Sequence, residues 1–501
     1  MAKKNLLETL IHSLNQSELK RFTLYTKTYA SNKSYIDLFK SIKNNHTNKT
    51  DKNNNKLAQQ RRYLYRIILE SLIQKSNKSS VENEVLFYIN SANYLIKKQL
   101  PEHAYDIINK ALHIVKKYEM TGYHLQLIEI EKQIRMYINP KGYRSDDEIF
   151  QEEVDLIEYQ KQLHTLKAVY NKILNYKKRS GYIDLNEWTK LYHQIKKMGF
   201  PDTSEECSTL KSKHYYYFNQ TLLYFIRRNH QKAYDYSSKM IKVDPGPLSK
   251  REYLNGLLEH STSCYCLGKT DETLETISMV KEFYQKGVFG KFENIALKIF
   301  YYRANYELVS YVFKGDKEMV EKKMEIIEKE LTYWGDKIPI AMRMILATAF
   351  KLGYAALGNY KKMGKEINFL IDSLHSGLRL DAHEDGLIWN LMYIFSKDDL
   401  DFLENQASQA YKHFQKNNVI ENMDNYYKLK ITKLFLNYSK MKIDRKEFLH
   451  SFKKVLEEKL SYFDNNFLEM DYPYLMWVNS QISGKSLLQT AREMEKTHLN
   501  N

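Results

Sequence analysis

Turn chemistry is scarce in this chain, and that scarcity limits what it can become. Its 501 residues include only 17 Gly and 7 Pro, about 5% together where an average protein carries roughly 12%. A β-sandwich, barrel or propeller needs Gly or Pro at frequent intervals. A dinucleotide-binding fold needs Gly-rich crossovers. Both are excluded by the same shortage, which leaves an all-α chain of long helices joined by short polar turns.

The few turn residues that exist fall in order. The prolines stand at 101, 140, 201, 245, 247, 339 and 473, each where a helix can start or has just ended. Between them apolar residues recur with a period of 3.6. Gly268, Gly315 and Gly358 each close a Tyr- or Leu-rich helix and open a turn into a Lys/Glu-rich one, in LGKTDET, FKGDKEM and LGNYKKM. Their spacing is 315 − 268 = 47 and 358 − 315 = 43. This is the pattern of stacked helical hairpins, an α-solenoid.

These hairpins resemble the tetratricopeptide (TPR) repeat, in which helix A ends near a Gly and helix B carries small or apolar residues at fixed offsets. Tyr88, Ala92 and Leu95 precede Ala104, Ile108 and Ala111; Tyr217 and Tyr224 precede Ala233 and Met240, with Pro245 closing the unit. After the three glycines the offsets hold Thr273, Ile277 and Val280; Val320, Met324 and Ile327; and Met363, Ile367 and Leu370. The interval is longer than the family's repeat of about 34, so the resemblance is to a divergent TPR-like array over roughly residues 81–460. It implies a right-handed solenoid. The whole-chain pattern also resembles uncharacterised helical-repeat proteins of Bacteroidota, a resemblance that implies no activity.

Charge is distributed unevenly. The chain carries 77 Lys plus Arg against 61 Asp plus Glu, a formal net charge of +16. Residues 1–80 hold 16 basic and 5 acidic residues, so 16 − 5 = +11 of that charge lies there. Such asymmetry bears on partners. Residues 1–80 are expected to form a basic helical module, with two helices over 5–40, a short one over 35–42 and another over 57–74. Residues 43–56, KNNHTNKTDKNNNK, contain no apolar side chain and are read as a solvated loop. The polar stretch 75–80 is the expected boundary, followed by TPR-like repeats over 81–480 and a C-terminal tail over 481–501. The apolar face of Leu6 to Leu14 could dock on the repeats or on a second copy.

Cys207, Cys264 and Cys266 are too few for a disulfide framework, which fits a reducing compartment. The N-terminus lacks a signal-peptide core, and no apolar run approaches the ~18 residues of a membrane span. A cytoplasmic location is expected.

No catalytic constellation emerges, so the expectation is a protein that is not an enzyme, with no cofactor and no metal. Gly268-Lys269-Thr270 and Gly484-Lys485-Ser486 lack the second Gly of a phosphate loop, having Ser263 and Asn479 in its place. His260 and Cys264 share a helix face, but with Cys266 they make an incomplete ligand set. His383, Glu384 and Asp385, in DAHEDG, read as a solvated turn ending at Gly386. Two aromatic–basic stretches remain: RRYLYR at 61–66, and KSKHYYYFNQTLLYFIRR at 211–228. Interleaved Arg and Tyr can neutralise phosphates and stack on bases. The candidate contact residues are Lys20, Arg21, Arg61, Arg62, Tyr63, Tyr65, Arg66, Arg227 and Arg228. The function expected is a helical-repeat scaffold or adaptor for a protein or peptide. The alternative is a nucleic-acid- or ribosome-associated protein acting through the basic module.

Overall fold

The computed structural model of the chain describes residues 6–14, 16–29, 34–44, 55–76, 80–138, 144–290, 292–416, 423–462 and 471–499. The described residues are overwhelmingly helical and include no strand, as the shortage of Gly and Pro predicts. None of the described helices is long and apolar enough to cross a membrane. The chain divides into two compact units, residues 1–156 and 157–501.

Unit 1 opens with α1 (Leu6–Ser13), α2 (Gln16–Tyr29), α3 (Ser34–Lys43) and α4 (Asn55–Ser76). Leu64, Ile67 and Ile68 of α4, spaced for one helical stripe, close on Leu7, Ile11, Phe22, Tyr35, Phe39 and Ile42. The apolar face of α1 thus packs within its own unit, while Leu6 stays exposed. Of the polar segment 43–56, residues 45–54 lie outside the described residues, as do residues 77–79 of the expected boundary.

A second cluster of unit 1 is built by α5 (Val81–Lys97), α6 (Pro101–Lys117) and α7 (Thr121–Arg135). The Ser80 side chain caps α5 by accepting from the Asn83 N–H, and Pro101 takes the first turn of α6, where its missing N–H costs nothing. Ala92, Ala104, Ile108 and Ala111 are fully buried between these helices.

α8 (Asp146–Ser180) enters unit 2 at residue 157. There follow α9 (Leu185–Lys197), α10 (Leu210–Ile226), α11 (His230–Met240), α12 (Lys250–Cys266), α13 (Thr270–Gln285), α14 (Glu293–Phe313) and α15 (Lys317–Trp334). The unit ends with α16 (Ile340–Ala356), α17 (Tyr360–Asp372), α18 (Leu380–Phe395), α19 (Leu400–Lys416), α20 (Met423–Ser439), α21 (Arg445–Tyr462), α22 (Tyr472–Ser483) and α23 (Leu487–Leu499). From α10 onward the helices pack in consecutive antiparallel pairs.

The two helices of a pair differ. The first ones, α10, α12, α14, α16 and α18, are buried around most of their circumference. The second ones bury a single stripe at i, i+4 and i+7: Ala233, Ser237 and Met240; Thr273, Ile277 and Val280; Val320, Met324 and Ile327; Met363, Ile367 and Leu370. Burying each larger apolar side chain stabilises by about 1.5–3 kcal/mol, so the stripe is what holds each hairpin shut. These are the repeat offsets expected from the sequence.

The turn inside each hairpin carries one residue in the left-handed region. It falls at 228, 268, 315, 358, 398, 441 and 484, never fewer than 40 nor more than 47 residues apart. Only four of the seven are Gly; Arg228, Asp398 and Met441 adopt the same conformation. Gly315 is required twice over. Its φ is +63°, and a Cβ there would stand 2.8 Å from the Cβ of Arg492.

That close approach comes from α23, which packs on α14, α16 and α22. Leu487, Leu488 and Ala491 are buried, and Arg492 donates to the Gly315 carbonyl at 2.9 Å. The segment expected as a tail is therefore a docked helix. Its apolar residues at 487, 488 and 491 share one helical face, which is the physical reason it folds back.

Candidate partner-binding cleft

Among the described residues, the basic side chains of unit 1 lie mostly at the surface. On α2, Lys20 is exposed and Arg21 donates to the Ser17 hydroxyl at 3.0 Å. On α4, Arg62 is exposed and Tyr63 is 38% exposed. Arg66 lies 5.2 Å from the Tyr63 ring centroid and pairs with Glu70 at 3.3 Å. Arg61 pairs with Glu8 at 2.8 Å, and Tyr65 is half-buried against the core.

The second aromatic stretch has a different fate. Tyr216, Phe218 and Phe225 of α10 are buried in the unit 2 core. Arg227 lies 4.7 Å from the Trp188 ring centroid. Arg228 is drawn inward: both ends of its guanidinium donate to Asp424 at 2.9 Å, and its side chain is only 11% exposed.

This pair belongs to a buried network of charge. Lys428 and Lys459 each reach Asp424 at 2.7 Å; Lys428 also reaches Glu384 at 2.5 Å, and Lys459 reaches Asp471 at 2.7 Å. Burial alone would raise the Asp424 carboxyl, but Arg228, Lys428 and Lys459 hold it well below the usual carboxylate range. Lys351 pairs with Asp385 at 2.6 Å, and the Tyr474 hydroxyl donates to Asp385 at 2.7 Å. The DAHEDG segment, expected as a solvated turn, is therefore the start of α18, with His383 and Asp385 buried. Lys351 of α16 neutralises Asp385, Lys428 of α20 neutralises Glu384 and Arg379 pairs with Asp381, which is why so polar a segment can enter the core.

The two GK strings form hairpin turns. Gly268 is left-handed and Lys269 immediately precedes α13; Gly484 ends α22. Neither forms a phosphate loop. Near the first, a cluster joins His260, Cys264 and Glu272, with the three ligand atoms all within 4.8 Å of one another. Cys266 lies outside it. Glu272 is the third residue of α13, and nothing local in the sequence relates it to α12.

Unit 2 also has a cleft of about 470 Å³ where α16 ends and α17 begins, bounded by α18, α22 and the start of α23. Trp389, Met363, Met392 and Trp477 form its apolar floor, none more than 8% exposed. The indole N–H of Trp389 finds no acceptor among the described residues. Tyr360, Tyr393, Gln481 and Lys397 form the rim. A second hollow, of about 530 Å³, continues past Tyr360, Tyr393 and Lys397 to Lys361, Lys365, Asn368 and Asn390.

Three lysines along this surface, Lys361, Lys365 and Lys397, are exposed and form no ion pair among the described residues. Their neighbours are satisfied: Lys362 pairs with Glu328 and Lys485 with Glu493, both at 2.6 Å. Lys397 instead stands 4.3 Å from the Tyr393 ring centroid. An apolar floor beside uncompensated positive charge suits an anionic, partly apolar ligand. No single segment of sequence announces this surface, because its walls come from five helices.

Comparison of the chain with protein-family models, with curated proteins and with solved structures gives no match.

Proposed function

We propose that the chain is a non-catalytic cytoplasmic adaptor, a divergent right-handed TPR-like array whose C-terminal cleft holds a segment of a partner protein. The observation that carries this reading is the continuous surface of two hollows, floored by Trp389 and Trp477 and edged by Lys361, Lys365 and Lys397. Aromatic-floored hollows accept an apolar anchor, and unpaired lysines select acidic neighbours to it. The partner segment is therefore an acidic peptide bearing one large apolar side chain.

A displayed random-peptide library tests this. Enrichment should favour Asp/Glu-rich sequences with one aromatic or Leu, and should vanish on the Lys361→Glu, Lys365→Glu, Lys397→Glu triple variant. Equal enrichment on both proteins would defeat the reading. The three lysines are exposed, so the variant is expected to fold.

A second reading is favoured by the surface of unit 1. Arg62, Tyr63, Arg66 and Lys20 are exposed on a segment of net charge +11, which supports contact with nucleic acid or the ribosome. Filter binding of RNA at two salt concentrations tests it. Affinity should drop steeply with salt and weaken in Arg62→Ala, Arg66→Ala. Salt-independent binding, or none at low salt, rules it out.

A further inference from the structure

We propose that His260, Cys264 and Glu272 form a three-ligand site for a zinc-class divalent ion, with a fourth position facing solvent. It is distinct from the cleft. His260 and Cys264 stand one helical turn apart on α12, and Glu272 comes from the first turn of α13 across the Gly268 turn.

The spacing is that of ligands around one ion. His260 Nε2 lies 3.3 Å from Glu272 Oε1 and 3.5 Å from Cys264 Sγ. Zinc bonds of about 2.0–2.1 Å to N or O and about 2.3 Å to S place tetrahedral N and O ligands about 3.3 Å apart, and N and S about 3.5 Å apart. All three ligand atoms lie within 4.8 Å of one another.

The hydrogen bonds also leave the right lone pair free. The Ser237 hydroxyl donates to the Tyr234 carbonyl at 3.0 Å, so its oxygen accepts from Nδ1–H of His260 at 2.9 Å. The neutral ring then carries its lone pair on Nε2, aimed at the Glu272 carboxylate and the Cys264 sulfur. Orientation of a histidine ligand through its second nitrogen is a usual feature of metal sites. A cation bound there would take that lone pair together with the Glu272 carboxylate and the Cys264 sulfur.

The donor set selects the ion. One imidazole nitrogen, one thiolate and one carboxylate suit zinc or cobalt, not magnesium or calcium. His260 and Cys264 are buried at 3% and 0% exposure, whereas the Glu272 side chain is 35% exposed, so solvent reaches the site from that side. The other groups facing it are Tyr234, whose hydroxyl donates to Glu272 at 3.1 Å, and Lys269, 3.6 Å from Glu272. Binding is a ligand exchange without redox change. The ion displaces the Cys264 thiol hydrogen, which leaves as one proton to solvent. Thiolate and carboxylate then balance the two positive charges.

The test uses the full chain, stripped with chelator and titrated with cobalt(II), then with zinc. One equivalent of cobalt should bind with a thiolate-to-cobalt charge-transfer band and release one proton, and zinc should bleach the band. Cys264→Ser should abolish the band, whereas Cys266→Ser should retain it. Glu272→Gln keeps the size of a part-exposed side chain and an oxygen to accept from the Tyr234 hydroxyl, and should weaken binding roughly tenfold or more. Absence of the band in the unaltered protein overturns the proposal. So does a band that survives Cys264→Ser, or affinity unchanged by Glu272→Gln.

Discussion

Arg228 grips Asp424 with both ends of its guanidinium, at 2.9 Å each, across 196 residues of sequence. It does so from a turn position that is Gly in four other hairpins, with φ at +63°. A side chain in that conformation costs about 1–2 kcal/mol. The expense is offset because no glycine could reach the buried carboxylate.

Arg228→Gly therefore relieves the backbone yet leaves Asp424 short of one positive neighbour. Breaking a buried pair costs about 3–5 kcal/mol, so we expect a net loss in chemical denaturation of unit 2. A variant as stable as the parent would mean that Lys428 and Lys459 alone satisfy Asp424.

Gly315 should resist any substitution. Alanine there meets both the left-handed backbone and the Leu488 carbonyl of the docked α23. Gly315→Ala should destabilise by more than the about 1–2 kcal/mol of backbone strain. Gly358→Ala, with open space around it, should cost only that strain. Thermal melts of the two variants, compared side by side, check the difference.

Acid should weaken unit 2 through its histidines. Burial, reinforced by the Arg228 charge, lowers the His230 pKa to about 3, and burial lowers that of His214 to about 4. Both rings take up a proton when unfolded, near pH 6.5, but not when folded. Their stabilising effect is thus complete above about pH 6.5 and is lost as pH falls towards the folded values. Asp424, held low, begins to lose its contribution only below its ordinary value of about 3.9, so it adds nothing to the slope between pH 7 and pH 5. His230 makes no hydrogen bond among the described residues, and its ring neighbours are Tyr182 and Phe225. His230→Phe should therefore keep its stability at pH 7 and gain roughly 2 kcal/mol over the parent at pH 5. Denaturation at the two pH values measures this, and an unchanged pH slope would contradict it.

On α4 the surface and the core should separate cleanly. Arg62→Ala with Arg66→Ala should leave stability within about 0.5 kcal/mol, since Arg62 is exposed and the Arg66–Glu70 pair stands in solvent. Ile68→Ala, at 0% exposure, should cost about 2–5 kcal/mol. Parallel melts of both variants decide it.

Much of the hairpin architecture could be read in advance. Ala104, Ala233, Ile277, Met324 and Ile367 are core residues at the offsets that the resemblance to TPR hairpins implies. The left-handed turns at Arg228, Asp398 and Met441 leave no mark in the sequence, because only glycine advertises that conformation. The burial of DAHEDG is hidden for a related reason. Local polarity signals solvent, but the lysines that neutralise Glu384 and Asp385 lie far along the chain, Lys428 being 44 residues from Glu384.

The sequence by itself determined helix against strand, the rhythm of the hairpins and the stripe each second helix buries. Those depend on contacts three to seven residues apart, which periodicity records. Tertiary structure alone decided that Arg228 would be buried, that 487–499 would dock on Gly315, and that Trp389, Trp477 and three lysines would line two adjoining hollows. It also brought Glu272 to His260 and Cys264. Each of these unites side chains from different helices, and no local pattern encodes which helix will lie opposite.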